Sequence, residues 1–380
     1  MSRLDSNENM IDSRGLTETK AIKLLVSLYL SDFYLKKIEA VSPNVEVLQS
    51  QDKKELLTLV QDADILFAGV FSREMFLAAN KLKWIQTLWA GVERFLYPEV
   101  VNSHVIITNA GGIHPTPVSE HAVGFMLCFS RKLHFFIRNQ VERKWKKSDE
   151  ELLLQFEELP GKTVGIVGLG RIGTAVAEKS KCLGMRVIAT RRNLSSSKPD
   201  YVDKMVYPEN LKELLAESDF VVITLPLTKE TDGIIGEAQL RSMKSTGYLI
   251  NVSRGKVVQE DKLIQALKEG WIAGAGLDTF ENEPLPNDSA LWGMDNVIIT
   301  PHVAGLTPYY MERLINILTE NLKRFINGEN LINVIDKNPR ILTMNLNEIA
   351  FLIFLILHVR QIRQDICSQF HKLVGSCRHA

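Results

Sequence analysis

The chain has 380 residues, enough for two domains of ordinary size. Its 45 Lys and Arg balance its 45 Asp and Glu, so no long-range field draws it to nucleic acid or to an anionic membrane surface, which leaves small-molecule chemistry. The four cysteines, Cys128, Cys182, Cys367 and Cys377, form no CxxC pair and no metal-ligand spacing; reduced thiols in a cytoplasmic protein, with no metal site, are expected.

Met1 to Thr19 is polar and of mixed charge, without the apolar core of a signal peptide, and residues 1–20 are expected to be a disordered leader. From Lys23 the pattern alternates. Leu24–Leu30, Val45–Leu48, Ile65–Gly69, Trp84–Trp89 and Val105–Thr108 read as short apolar strands, with helices such as Asp52–Gln61 and Arg73–Asn80 between them. Alternation of this kind predicts a parallel sheet covered on both faces. One long helix is expected from Pro117 to about Trp145, apolar first and then basic (Arg131, Lys132, Arg138, Arg143, Lys144). No aromatic residues interleave the basic run, so it is taken as a solvated face.

Residues 164–173 read Val-Gly-Ile-Val-Gly-Leu-Gly-Arg-Ile-Gly. A β-branched strand runs into Gly168, Gly170 and Gly173, and a helical pattern opens at once with Ala175, Val176 and Ala177. A dinucleotide pyrophosphate needs this order. One glycine makes the turn, one lets backbone approach the phosphates and one allows close helix–strand contact, with the anion at the positive end of the helix. Strands are then expected at Val164–Val167, Arg186–Thr190, Phe220–Thr224, Tyr248–Val252, Gly274–Leu277 and Val297–Thr300, the six of a full dinucleotide-binding sheet. A helix from about Pro308 to Ile326 leaves this domain to rejoin the first.

The expected architecture is α/β. A Rossmann-type dinucleotide-binding domain spans 117–305, and a discontinuous second domain with its own parallel sheet spans 21–116 and 306–336. The active site is expected in the cleft between them. Residues 337–380 form an extension of unknown role. Its apolar run Ile349–Leu357 is, at roughly 1.5 Å per residue, far too short to span a bilayer.

Three further motifs follow the glycine loop at strand ends, where open α/β sheets bind ligands. Arg254 tips the turn after Leu249–Val252, acids cluster at Asp278, Glu281 and Glu283, and His302 follows Thr300-Pro301. Reduction of a 2-oxo acid needs a planar guanidinium for the carboxylate and carbonyl, which Arg254 supplies. It also needs a proton donor near neutrality, which His302 supplies. A carboxylate beside that imidazole, Glu283 or Glu281, would favour the imidazolium and set the tautomer. Taken singly, each residue has a bland reading: a surface charge, a structural histidine, a solvated turn.

On these residues the chain resembles the D-isomer-specific 2-hydroxyacid dehydrogenases, which include glyoxylate/hydroxypyruvate reductases, D-lactate dehydrogenases and D-3-phosphoglycerate dehydrogenases. The resemblance covers about Lys23 to Asp336 and rests on GLGRIG, LPLTKET, INVSRG, LDTFENEP and TPHVAG. It implies Arg254, Glu283 (not Glu281) and His302 as the catalytic residues. It implies Asp278 beside the nicotinamide carboxamide, and backbone amides of Ala90, Gly91 and Val92, together with Arg254, on the substrate. Further cofactor contacts are implied at Gly168, Gly170, Arg171, Ile172, Gly173, Thr190, Arg191, Arg192, Pro226, Val252, Ser253, Ala304 and Gly305. The N-terminal domain is then the flavodoxin-like substrate domain, and a homodimer forms through the cofactor domain.

No acid ends the second strand of the cofactor domain, where an NAD enzyme grips the ribose hydroxyls. Thr190-Arg191-Arg192 stands there instead. This favours NADP over NAD, unless one arginine stacks on adenine and the other is solvated. In Gly69-Val-Phe-Ser-Arg73 a phenylalanine occupies a loop that phosphoglycerate-type relatives fill with cations, so a small unphosphorylated acid such as glyoxylate or hydroxypyruvate is expected. Trp89, Phe95 and Tyr97 line its pocket or belong to the core. The rival functions are a nucleotide-sensing corepressor-like binding protein of the same fold, a D-3-phosphoglycerate dehydrogenase, and a formate dehydrogenase, in which Gln would replace Glu283.

Overall fold

The computed structural model describes residues 21–89, 91–92, 95–145, 156–192 and 198–337. The expected leader, Ala90 and the apolar run at 349–357 lie outside them. The described residues divide into two compact units, one within 21–113 and 307–337, the other within 114–306.

The first unit is a five-stranded sheet. Its strands are β1 (Ile22–Val26), β2 (Val45–Gln49), β3 (Ile65–Ala68), β4 (Trp84–Thr87) and β5 (Ile106–Thr108). They are all parallel, in the order β2-β1-β3-β4-β5, the flavodoxin-like arrangement. Helices α1 (Asp32–Glu39), α2 (Lys53–Leu59), α3 (Arg73–Ala78) and α4 (Pro98–Val101) connect them. Asp52 caps α2 by accepting from the Lys54 and Glu55 amides, and Ser72 caps α3 through the Met75 amide. β1 ends four residues before the expected Leu30: the chain bends at Leu28, just past buried Ser27, whose hydroxyl donates to the Val70 carbonyl at 2.6 Å.

The second unit opens with α5 (Pro115–Ser130) and α6 (Leu133–Val141). These replace the single helix expected from Pro117 to Trp145. Lys132 sits in the left-handed region (φ 53°), with its ammonium 3.2 Å from the Tyr248 hydroxyl, and that tertiary contact holds a break no glycine announces. Then come β6 (Thr163–Val167), α7 (Arg171–Cys182), β7 (Arg186–Thr190), β8 (Lys204–Val206), α8 (Leu211–Glu217), β9 (Phe220–Ile223), α9 (Glu237–Leu240), β10 (Tyr248–Asn251), α10 (Glu260–Glu269), β11 (Gly274–Leu277) and β12 (Val297–Ile299). The sheet is parallel, in the order β12-β11-β10-β9-β6-β7-β8. It has seven strands where six were expected. The extra one, β8, is a three-residue edge strand, too short for periodicity to reveal. Helix α11 (Tyr310–Ile326) belongs to the first unit and buries Leu314, Ile315, Leu318 and Leu322 in its core.

Candidate active site

The strand register gathers the motifs of the second unit on one edge. Thr190, Val167, Ile223, Asn251, Leu277 and Ile299 are successive Cα partners across the sheet. The residues that follow them therefore leave the sheet side by side: Gly168 after β6, Val252 after β10, Asp278 after β11 and Thr300 after β12. The sheet order reverses at β6, which is where an α/β sheet opens a crevice.

At that reversal the glycines divide the labour as a dinucleotide demands. Gly168 adopts φ +105°, closed to most side chains. A Cβ on Gly173 would lie 2.2 Å from the Gly168 carbonyl, so the helix can approach the strand only with glycine there. A Cβ on Gly170 would meet nothing within 4 Å: that glycine faces open space. Gly170 is the N-cap of α7 and adds no side chain of its own to the helix N-terminus, the end of a helix that suits an anion. This cradle fits a pyrophosphate.

Thr190 is buried, and its hydroxyl accepts from the Gly168 amide at 3.0 Å. It braces the glycine turn from beneath. Arg191 is half-buried and Arg192 exposed at the end of β7. The loop after β9 is shaped by Thr231, whose hydroxyl donates to the Pro226 carbonyl at 2.6 Å and accepts from the Thr228 amide at 2.7 Å.

An imidazole–carboxylate pair is assembled from two loops. His302 Nδ1 lies 2.7 Å from Glu283 Oε2, and Glu283 Oε1 accepts from the Phe280 amide at 3.0 Å. Both side chains are largely shielded, 23% and 14% exposed. Glu281, the other carboxylate of the run, is exposed; its amide donates to Glu260 at 3.0 Å. Burial raises the Glu260 carboxyl above its ordinary value, more than that hydrogen bond lowers it. His302 itself has φ +54°, a left-handed conformation uncommon for a non-glycine residue.

Asp278 holds that conformation in place. It is 1% exposed; Oδ1 accepts from the Thr300 hydroxyl at 2.6 Å and the Val303 amide at 2.9 Å, and Oδ2 from the Ala304 amide at 3.0 Å. Its carbonyl takes the His302 amide at 2.8 Å. Gly305 follows, with its carbonyl 3.3 Å from His114 Nδ1. Arg254 sits on a turn tied by Asn251, which donates to the Arg254 carbonyl at 3.0 Å and accepts from the Ser253 amide and hydroxyl. The next residue, Gly255, packs so closely on the Phe280 carbonyl that a Cβ would lie 1.9 Å from its oxygen. The Arg254 turn and the Glu283 loop are thus in backbone contact.

Residues 123–304 match the model of the D-isomer specific 2-hydroxyacid dehydrogenase NAD binding domain. A glyoxylate reductase of Korarchaeum cryptofilum is 38% identical over 288 residues, 74% of this chain and 86% of the relative. The chain belongs to the D-isomer-specific 2-hydroxyacid dehydrogenase family. A glyoxylate reductase of Thermococcus onnurineus is also 38% identical, over 75% of this chain and 87% of its own. Among solved structures, a family protein from Aeromonas salmonicida superposes with a TM-score of 0.71 at 31% identity, covering 83% of this chain and 99% of that one. An NADPH-dependent glyoxylate/hydroxypyruvate reductase from Sinorhizobium meliloti gives 0.67 at 26% identity, over 83% and 98%. As a member of this family the protein is an oxidoreductase that takes a nicotinamide dinucleotide and acts on a small acid.

In the first unit, Gly91 and Val92 lie on the loop after β4, and the Tyr310 hydroxyl donates to the Leu88 carbonyl at that loop's start (2.7 Å). Burial raises the Tyr310 hydroxyl well above its ordinary range, which keeps it a donor. Phe95 is a core aromatic, 3% exposed, edge-on to Phe71. Trp89 and Tyr97 are half-buried. Sequence inspection passed over Asn251, His121 and Tyr310. Only Asn251 carried a signal, since it stands inside the INVSRG run.

Proposed function

We propose that the protein reduces a small unphosphorylated 2-oxo acid, glyoxylate or hydroxypyruvate, with NADPH. The observation that carries this is the 2.7 Å contact between His302 Nδ1 and Glu283. A carboxylate can only accept, so Nδ1 carries a proton, and Nε2 is the nitrogen left to exchange one. Arg254 clamps the acid through its guanidinium fork and polarises the carbonyl, His302 gives the carbonyl oxygen its proton, and Glu283 stabilises the imidazolium before transfer. The cofactor, when bound, supplies the hydride. Gly168, Gly170, Arg171, Ile172 and Gly173 hold its phosphates, and Arg191 and Arg192 take the 2′-phosphate. The amides of Gly91 and Val92 serve the substrate carboxylate.

An unphosphorylated substrate is supported by the first unit. Arg73, the one cation of the Gly69–Arg73 loop, gives its Nε and Nη2 to Glu99, with Nε at 2.9 Å, and the bond holds the Glu99 carboxyl below its ordinary value. It is not a free phosphate ligand. Leu133, Ile137 and Val141 are exposed at helical spacing on α6, which supports a homodimer through the cofactor unit. No described helix is long and apolar enough to cross a membrane, and a cytoplasmic location is part of the proposal.

The test is the oxidation of NADPH and NADH in the presence of glyoxylate, hydroxypyruvate, pyruvate, phenylpyruvate and phosphohydroxypyruvate. The highest kcat/KM is expected for glyoxylate or hydroxypyruvate with NADPH. A preference for the phosphorylated acid overturns the substrate assignment, and turnover of none of them overturns the whole.

A further inference from the structure

On the dehydrogenase reading above, we propose that His121 is a positioning residue for His302, acting through Thr300 and Asp278. His121 lies on α5, two turns in from its start, and its Nε2 is 2.9 Å from Thr300 Oγ1 and 3.8 Å from Asp278 Oδ1. The direction of each bond follows from donor capacity. Asp278 as a carboxylate can only accept, so at 2.6 Å it takes the Thr300 hydroxyl proton. The Thr300 oxygen then accepts from His121, which fixes the proton of that ring on Nε2. Burial favours the neutral imidazole and outweighs the opposing pull of Asp278. His121 is therefore a neutral donor, 22% exposed, whose ring meets Phe125 edge-on at 4.7 Å.

The approach that makes this possible is built into β11. A Cβ on Gly276 would stand 2.8 Å from the Phe125 ring, so α5 lies against the sheet only because that strand has no side chain there. The same helix reaches the other end of the loop through His114, at the Gly305 carbonyl. Thr300 to Gly305 is thus held at both ends from α5 and in the middle by Asp278, with His302 in its left-handed conformation between them. Without the His121 donor, the Thr300 hydroxyl is free to rotate away from Asp278. The loop then loses one of the three donors that Asp278 gathers, and the aim of His302 at Glu283 loosens.

The variants are His121→Leu, His121→Gln and Thr300→Val, in the full-length protein. Gln keeps a donor near the position of Nε2, whereas Leu keeps volume and no donor. Two readouts are used. One is the pH profile of kcat and KM for the preferred acid. The other needs no turnover: the downfield NMR resonance of the His302 Nδ1 proton, assigned by its absence in His302→Gln. His121→Leu and Thr300→Val should each lower kcat about tenfold, the scale of one hydrogen bond, with KM little changed and the Nδ1 resonance broadened or lost. His121→Gln should restore both. A folded His121→Leu with wild-type kcat, pH profile and resonance overturns the proposal, as does a Gln variant no better than Leu. If His121→Leu does not fold, Thr300→Val decides by the same criteria. If the wild type turns over no 2-oxo acid, the resonance alone decides. Its loss in Leu and return in Gln sustain the positioning role while the dehydrogenase reading falls, and its persistence in Leu overturns the role.

Discussion

Under the first sheet, Trp84 Nε1 donates to Thr108 Oγ1 at 2.7 Å, Thr108 donates to Gln86 Oε1 at 2.7 Å, and Asn321 bonds Gln86 and both backbone groups of Ile332. At the edge of the second sheet, His121, Thr300 and Asp278 form a chain of similar bond lengths, half-buried at His121 and Thr300 and fully buried at Asp278. The bonding is alike and the use is not. The side chains of the first network, Trp84, Gln86, Thr108 and Asn321, are neutral, fully buried and paired within the protein, so they fasten α11 and the segment after it to the sheet. The second contains a carboxylate and an imidazole and ends on a loop whose apex is His302. A neutral, closed network specifies a fold; a charged one at a strand end, on the proposed function, sets where the proton donor points.

The largest effect that sharpens this contrast is at the loop tips. Arg254→Ala and His302→Ala should each lower turnover by orders of magnitude, the proton-transfer share alone being about 10²–10⁴-fold. Thermal unfolding and cofactor affinity should be little changed, as measured by calorimetry and fluorescence titration. Wild-type turnover in His302→Ala would break the contrast. Next is cofactor choice. A charge-assisted contact contributes on the order of 1.5–3 kcal/mol, so Arg191→Ala with Arg192→Ala should erode a preference for NADPH by about 10- to 150-fold, mostly in KM, leaving NADH kinetics alone.

Glu283→Gln comes third. The carboxylate accepts from Nδ1 at 2.7 Å and so fixes the tautomer and the aim of the ring. Its removal should lower kcat about tenfold, the scale of one hydrogen bond, with KM little changed; an unchanged kcat would show that the contact has no catalytic weight. On the other side of the comparison, Asn321→Leu leaves the Ile332 amide without its acceptor and should cost roughly 1–3 kcal/mol of stability. The kcat per folded molecule should stay that of the wild type; a fall in kcat would mean that the first network is not purely structural.

The smallest effect is in acid. Burial lowers His121 and His134 below their ordinary value of 6.5. The unfolded chain therefore takes up these protons first. Their contribution to stability is fully present above about pH 6.5 and is lost as the pH falls through the folded-state values. His134→Gln and His121→Gln should each flatten the dependence of the unfolding midpoint between pH 7.5 and 5. The neutral network of the first unit contributes nothing to that slope.

The alternation of short apolar runs with helical ones, and the glycine spacing of 168–173, were enough to read two parallel α/β sheets and a dinucleotide cradle from the chain. Those signals are local. A strand flanked by a tight turn and a helix is written in about a dozen consecutive residues, and the two conformational demands, a positive φ at Gly168 and no Cβ at Gly173, can be met by glycine alone. Arg254, Asp278 and His302 were legible for the same reason, each standing just past an apolar strand.

What depends on distant partners was not legible. The break at Lys132 rests on Tyr248, more than a hundred residues away, and β8 exists only because β7 offers it an edge. The residues taken alone left both Glu281 and Glu283 open as partners of His302; the fold turns Glu283 to the imidazole and Glu281 to solvent. His121 looked like one more residue in an apolar helix until the bare strand at Gly276 brought it beside Thr300. The sequence by itself determined most of the elements, their order and the residue types at their ends, because these follow from neighbours along the chain. Which side chains meet was decided by strand register and helix approach, which only the folded sheet supplies.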